Sequence, residues 1–179
     1  MKDPTADRLR ALLDYDPETG VFVWRWRPEY EFKKPGQQAY WNRRYAGRVA
    51  GSLSPDGYRY IKFDGEIYSE HRLAWLYCNG SLPDQVDHEN GRTAENWIAN
   101  LRAVSNAENA KNQAIRSTNK SGVAGVCWCP RPPKCQAYIH VDGKQRRLGY
   151  FDRLEDAAAA RKAAEKKYGY HPNHGRPSL

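Results

Sequence analysis

The N-terminal part of the chain changes between helical and strand-like spacing of its apolar residues. Leu9, Leu12 and Leu13 recur at helical spacing, and the Asp64-Gly65 pair lies between two alternating runs, which is typical of a hairpin. Gly80 follows a second helical pattern and is placed to end it. The spacing therefore predicts a helix, a short strand, a hairpin and a second helix, at residues 6–13, 21–26, 57–68 and 69–78.

The C-terminal third has a different pattern, with three alternating runs followed by one helical run. A hairpin is predicted at Asp142-Gly143, and Asp152 with Glu155 predicts a capping box for a helix over residues 154–168, with Gly169 as its C-cap. Six alanines between residues 157 and 164 let this helix lie close to a sheet. The expected arrangement is a three-stranded antiparallel sheet packed on one helix.

The short polar segment at residues 117–121 separates these two patterns. We predict a domain over residues 1–116 with a core at 84–116, a linker at 117–121, a second domain at 122–170 and a tail at 171–179. The fold class is α+β.

Composition excludes several classes of protein. The 179 residues contain no run long enough to cross a membrane and no apolar stretch near the start that resembles a signal peptide, so we expect a cytoplasmic protein without a membrane partner. Reduced cysteines are then expected. A zinc site from Cys127, Cys129, Cys135 and His140 is conceivable, but burial of the thiols is the favoured interpretation because the usual two-residue spacer is missing.

Positive charge is concentrated near the C-terminus. The net charge is +8, with 17 basic and 16 acidic side chains in residues 1–116, and 12 basic and 5 acidic in residues 117–179. Such a distribution favours a separate module that binds nucleic acid over a surface that only aids solubility.

A second basic segment has no acidic residue from Phe32 to Pro55. Its cations alternate with aromatic residues, which suits a loop lying along a DNA backbone. A solvated loop anchored by its own aromatics is equally compatible with the pattern. The cations are Lys33, Lys34, Arg43, Arg44 and Arg48.

The most informative candidates for catalytic and metal-binding residues lie within residues 86–112. Asp87 offers a charged oxygen to a hard cation, the adjacent His88 can take a proton from water, and Asn109, on a helix that Ser105 caps, offers a neutral oxygen. Alternation along a strand places Asp87 and His88 on opposite faces. These groups suit hydrolysis of a phosphodiester assisted by one Mg²⁺ or Mn²⁺ ion per site. In isolation, the same residues could simply cap and brace loops.

The ordered set Asp87-His88, Asn100-Leu101-Arg102 and Asn109 resembles the HNH endonucleases, in particular the homing enzymes of phages, over residues 9–116. The resemblance implies a ββα-metal domain preceded by hairpins and a helix. It makes His88 the general base and Asp87 and Asn109 the metal ligands. Asn100 then braces the loop that carries the histidine.

A second resemblance covers residues 122–168. Gly125-Val126, Ala137-Tyr138-Ile139, Leu148-Gly149-Tyr150-Phe151 and Glu155-Asp156-Ala157-Ala158 are similar to the plant ethylene-response-factor (apetala-two type) DNA-binding domain. Cys127 and Cys129 stand where that family has arginines, so its sequence preference does not transfer. The DNA contacts expected in this module are Trp128, Arg131, Lys134, Gln136, Tyr138, Lys144, Arg146 and Arg147.

Three further arginines, Arg72, Arg92 and Arg102, flank the HNH-like motif and are candidates to clamp phosphates; solvated surface arginines are an equally good interpretation of Arg92 and Arg102. For His71, a hydrogen bond into the core is favoured over catalysis. The sequence thus predicts an endonuclease that nicks or cleaves double-stranded DNA as a monomer or homodimer. A non-catalytic DNA-binding regulator is the alternative, and RNA binding is a third possibility.

Overall fold

The computed structural model describes residues 4–116, 118–130 and 133–177. The chain divides into two compact units, Met1–Ala103 and Val104–Leu179. This division lies before the polar segment at residues 117–121, so the end of the HNH-like stretch belongs to the second unit.

The first unit begins with a helix and a two-stranded hairpin. Thr5 caps the helix by accepting a hydrogen bond from the Arg8 amide, and the antiparallel strands pair Leu13 with Trp24. The predicted helix and strand are therefore confirmed. The elements are α1 (Ala6–Leu12), β1 (Leu13–Tyr15) and β2 (Phe22–Trp24).

The next element, α2 (Gln37–Tyr45), lies in the basic segment that was predicted as a loop. That prediction is wrong. The helix has no buried residue, so the segment lacks the apolar stripe from which an amphipathic helix is recognised.

A three-stranded antiparallel sheet in the order β3-β4-β5 follows, with strands Ser52–Leu53, Arg59–Phe63 and Glu66–Ser69. Asp64 and Gly65 both have positive φ, 51° and 86°, as a two-residue hairpin turn requires. The helix α3 (Glu70–Asn79) ends at Gly80, whose φ is 76°. The predicted hairpin and helix are confirmed.

The core of the first unit joins α1, β2, β4 and α3. Leucines of the two helices pack with aromatic and aliphatic residues of the strands, and the most completely buried are Leu9, Leu12, Leu13, Phe22, Ile61 and Leu73. This core supports the start of α3, which directly precedes the site.

Two short strands, β6 (Gln85–His88) and β7 (Leu101–Val104), pair in a separate sheet. The helix α4 (Asn106–Ala110) follows β7 and starts with a complete capping box between Ser105 and Glu108, so the predicted cap is confirmed. α4 belongs to the second unit.

The second unit contains an antiparallel sheet in the order β10-β9-β8, with strands Lys144–Phe151, Pro133–Val141 and Val126–Pro130. The helix α5 (Leu154–Lys167) buries Ala157 and Ala164, as a sheet-packed alanine face should. The three-stranded sheet with one helix is confirmed. The predicted capping box is wrong, because the N-cap is Arg153 and no side chain caps the helix.

Residues after α5 run back along the segment that follows α4. The backbone amide of Ile115 donates to the Arg176 carbonyl at 2.8 Å, and that of Gly175 donates to the Gln113 carbonyl at 2.9 Å. The Arg176 guanidinium also donates to the carbonyl and side-chain oxygens of Asn112. Residues 175 and 176 of the predicted tail therefore pack within this unit.

Across the described residues, none of the helices has both the length and the apolar character that crossing a bilayer requires.

Candidate active site

Strand β6 presents Asp87 and His88 to opposite sides. Burial alternates along the strand, with Val86 and His88 buried and Asp87 half-buried. His88 is almost fully buried, with 3% of its surface exposed. The local geometry therefore separates the carboxylate from the imidazole, as alternation along a strand requires.

The His88 imidazole is held by Asn96. The distance from His88 Nε2 to the Asn96 side-chain oxygen Oδ1 is 2.9 Å. An amide oxygen only accepts, so Nε2 carries the hydrogen and the lone pair lies on Nδ1. Asn96 is itself fixed, because its backbone carbonyl accepts a hydrogen bond from the Tyr15 hydroxyl at 2.8 Å. This tautomer is the one that a base acting through Nδ1 needs.

Behind Asn96 lies a buried ion pair between Glu70 and Arg59, with Arg59 Nε 2.8 Å from Glu70 Oε2. Burial raises the pKa of Glu70, while the Arg59 guanidinium and the Asn96 amide favour its carboxylate form. Glu70, at the start of α3, therefore lies close enough to Asn96 for the two side chains to influence each other electrostatically.

His71 forms an imidazole pair with His88. Their ring centroids lie 5.0 Å apart, and the Tyr58 ring lies 5.4 Å from His71. Burial lowers the pKa of His71 to about 3, with a further contribution from His88. Nδ1 of His71 has no hydrogen-bond partner within the described residues, so the core hydrogen bond expected for this residue is not seen at that nitrogen.

Asp87 is engaged by Arg102 from the neighbouring strand β7. Arg102 Nη2 and Nε lie 2.8 and 3.2 Å from the same carboxylate oxygen, Oδ2. Arg102, expected to clamp a phosphate, thus contacts the expected metal ligand. The pair fixes both side chains on the more exposed side of β6.

Asn100 bridges the loop between β6 and β7. Its side-chain oxygen accepts from the Asn90 amide at 3.1 Å, and its side-chain nitrogen donates to the Glu95 carbonyl at 2.7 Å. The loop is also tied by the side chains of Asn90 and Glu95, 2.7 Å apart. Asn100 therefore makes contacts that would brace the loop after His88.

Asn109 lies in the last turn of α4, half-buried, in the second unit. The first unit accordingly groups Asp87, His88 and Asn100, whereas Asn109 is positioned by the second unit. The sequence did not identify Asn96 as the partner of His88 or Arg102 as the partner of Asp87. Their sequence positions give no sign of the contacts, which form only when the loop folds.

The remaining predicted contacts of the first unit are engaged within the protein. Arg72 Nη1 donates to the Asp84 carbonyl at 3.3 Å. Arg92 is exposed and forms an ion pair with Glu95 at 3.0 Å. Both contacts are weak enough in water to be exchanged for a phosphate.

The predicted contacts of the second unit divide between the two faces of the sheet. Gln136, Tyr138 and Arg147 share the face opposite α5, because Arg147 pairs with Tyr138 in register and Gln136 lies two residues away on β9. Lys134 is on that face too, in an ion pair with Asp152 at 3.1 Å.

Other predicted residues point elsewhere. Arg146 pairs with buried Ile139 and reaches the Tyr168 ring of the helix side, while Lys144 pairs with Val141. Trp128 pairs with buried Cys135 yet is 59% exposed. Arg131 lies outside the described residues. The structure therefore does not gather all of these residues on one surface.

Metal ligands of the usual kind are sparse. Among the residues that the structure describes, no group of three or more His, Cys, Asp or Glu side chains is arranged to hold a metal ion, and the four cysteines are free thiols. The predicted ligands, a carboxylate and an amide, are oxygen donors of the type that Mg²⁺ and Mn²⁺ prefer. The donor chemistry fits such an ion when substrate and water supply the other ligands.

Comparison with known proteins agrees with the motif. A family described as HNH endonuclease matches residues 68–111, a range that contains Asp87, His88, Asn100 and Asn109. Protein 3.8 of Escherichia phage T7 is 29% identical over 90 residues, covering 49% of this chain and 74% of that protein. No solved structure matches the chain. Residues 68–111 are therefore similar to the HNH endonuclease family, while the resemblance of residues 122–168 to the apetala-two type domain stays a prediction.

Proposed function

We propose that this protein is a metal-dependent endonuclease that nicks or cleaves double-stranded DNA. The observation that carries the proposal is the arrangement on β6, where His88 is locked in one tautomer by Asn96 and Asp87 projects from the other side. This arrangement lies within the segment that matches the HNH endonuclease family.

His88 serves as the general base. Its Nδ1 lone pair accepts a proton from the attacking water, while Asn96 stabilises the resulting imidazolium by keeping its bond to Nε2–H. The neutral, buried His71 beside it does not compete for that proton, because burial keeps its pKa low. Asn100 acts indirectly, by holding the loop that follows the histidine.

Asp87 and Asn109 would hold one Mg²⁺ or Mn²⁺ ion. When bound, such an ion neutralises the charge that develops on the phosphate and stabilises the departing oxygen. Arg102 donates to the Asp87 carboxylate and places a second positive charge near it. We propose that this region has the ββα-metal fold.

DNA is held outside the chemical centre by Arg72 and Arg92 of the first unit, and by the second unit. In the latter, Gln136, Tyr138 and Arg147 form one set on the open face of the sheet. The other proposed contacts are Trp128, Arg131, Lys134, Lys144 and Arg146. We further propose a homing enzyme of phage type that works in the cytoplasm of the host cell, as a monomer or homodimer.

One observation favours a second candidate, a DNA-binding regulator that does not cut. The Asp87 carboxylate already forms an ion pair with Arg102, which a purely structural role would explain. Binding without cleavage separates this candidate from the nuclease.

The test is conversion of supercoiled plasmid, with Mg²⁺ or Mn²⁺, by the wild type, by His88→Ala and by the wild type in EDTA. We expect the wild type alone to give open-circular product, with linear product indicating paired cuts. His88→Ala should retain its affinity for DNA. Wild-type protein that binds DNA but never converts it would establish the regulator, and equal cleavage by His88→Ala would remove the assigned base.

A further inference from the structure

The cations of residues 33–48 surround a helix that the chemistry above does not use. Five basic side chains and no acidic one occur between Phe32 and Pro55. All five are exposed, on α2 or on the segments directly before and after it. We call this set the basic surface: Lys33, Lys34, Arg43, Arg44 and Arg48.

These cations differ from most other arginines of the first unit in having no counter-charge. Within the described part of the chain, no carboxylate forms an ion pair with any member of the basic surface. By contrast, six arginines of the same unit are paired with Asp or Glu, namely Arg8, Arg25, Arg27, Arg59, Arg92 and Arg102. The unit therefore leaves positive charge uncompensated in one continuous stretch.

The acidic residue nearest in sequence does not offset this charge. Glu31 is bound by Arg8 and by Arg27, the latter with Nη2 2.6 Å from Oε2. Hydrogen bonds from Arg8 hold the pKa of Glu31 at about 2, so its negative charge is matched locally.

The basic surface is mounted on a rigid aromatic cluster. The Trp41 ring packs against Trp24 and Tyr45, with centroids 5.4 and 5.3 Å away. The Arg27 guanidinium lies 5.0 Å from the rings of both Phe32 and Trp41. The side chain of Asn42 also exchanges two hydrogen bonds with the Arg27 backbone, at 2.9 and 2.8 Å.

This packing determines which form of nucleic acid the surface suits. Trp41 and Tyr45 are occupied by contacts within the protein, and the hydroxyl of the exposed Tyr40 accepts a hydrogen bond from Arg44 at 2.9 Å. The surface therefore presents more exposed cations than open aromatic rings, and cations bind phosphates without regard to sequence.

We propose that the basic surface binds the phosphate backbone of duplex DNA, giving the first unit a further DNA contact besides Arg72 and Arg92. This inference rests on the proposed function. A helix with no buried residue is then retained for the charges that it displays rather than for the core.

The test compares two double variants of the full chain with matched loss of charge. Lys33→Gln/Arg43→Gln removes two cations of the basic surface, and the control Lys62→Gln/Arg153→Gln removes two exposed cations elsewhere. Lys33→Arg/Arg43→Lys keeps both charges. Binding to a fluorescent duplex is followed by anisotropy across salt concentrations in EDTA, so that no DNA is cut, and thermal unfolding verifies the fold.

We expect Lys33→Gln/Arg43→Gln to weaken binding at least about tenfold and to reduce the slope of log K against log salt by about 1.8, since each phosphate contact contributes about 0.9. The control and the charge-conserving variant should bind like the wild type. Equal losses in the test and control variants, or an unchanged slope, would overturn the basic surface while leaving the nuclease proposal intact. Failure of the wild type to bind duplex DNA would overturn both.

Discussion

Asp87 and Arg102 form an ion pair across strands β6 and β7 in which both guanidinium contacts meet the single oxygen Oδ2. The Asp87 side chain is only 13% exposed, so this pair is better shielded from water than an ordinary surface pair. A cation that approaches Asp87 meets a carboxylate whose charge is partly offset by its neighbour.

The pair leads to a prediction for the metal requirement. Arg102→Gln should lower the Mn²⁺ concentration needed for half-maximal cleavage by about fivefold, because two unit charges about 4 Å apart repel by about 1 kcal/mol even in water. Metal titrations of plasmid cleavage measure this. Arg25→Gln, which removes an exposed arginine paired with Asp14, is the matched control. A higher metal requirement in Arg102→Gln would instead show that Arg102 is needed to hold Asp87 in place.

Asn96→Ala should slow cleavage by about 10- to 100-fold, because His88 loses the partner that fixes its tautomer and orientation. The KM for DNA should stay close to that of the wild type, since Asn96 is buried and does not reach the substrate. A wild-type cleavage rate in Asn96→Ala would contradict a role for Asn96 in orienting His88.

Arg176→Ala should destabilise the second unit by about 1–3 kcal/mol, since it leaves buried acceptors of Asn112 without their donor. The same variant should reduce metal-dependent cleavage, because Asn112 follows the helix that carries Asn109. Urea unfolding and the plasmid assay measure the two effects. The control Arg153→Ala breaks only an exposed pair with Glu155 and should change stability by less than about 1 kcal/mol.

His71→Phe tests the buried imidazole through the pH dependence of stability. The folded pKa of His71 is about 3, below the ordinary histidine value, so the unfolded chain takes up a proton first as pH falls. The contribution of neutral His71 to the free energy of unfolding is fully present above the pKa of His71 in the unfolded chain. It is lost progressively as the pH falls from that value toward the pKa of His71 in the folded protein. Between pH 7 and pH 5 the wild type should therefore lose about 2 kcal/mol more than His71→Phe. Urea unfolding in EDTA measures this, and parallel curves for both proteins would contradict a buried neutral His71.

The parts of the fold that the sequence predicted are those determined by local chemistry. The Asp64-Gly65 turn, the Gly80 helix end and the Ser105 capping box each depend on a few adjacent residues. The helix α2 was missed because aromatic packing from Trp24 and Phe32, distant in sequence, holds it without a buried stripe. The cap of α5 was misplaced because helical geometry begins one residue later than the acidic pair suggested.

In the candidate site, too, local features could be predicted from the sequence, whereas contacts that depend on the folded loop could not. Asp87 and His88 could be placed on opposite faces because alternation along a strand is a local property. The partners Asn96 and Arg102 could not be assigned, since their contacts depend on how the loop between the strands folds back. The distribution of the predicted DNA-contact residues over two faces of the C-terminal sheet could not be foreseen either, because it depends on strand register.

Because residues 175 and 176 pair with the segment after α4, that segment acquires its partners late in synthesis. Asn112 and Arg176 are 64 positions apart, so a growing chain displays the complete HNH motif well before Arg176 is made. The backbone of residues 113–115 obtains its hydrogen-bond partners only at that late stage. In a nascent chain, the segment that follows the Asn109 helix therefore lacks these partners until Arg176 has been made.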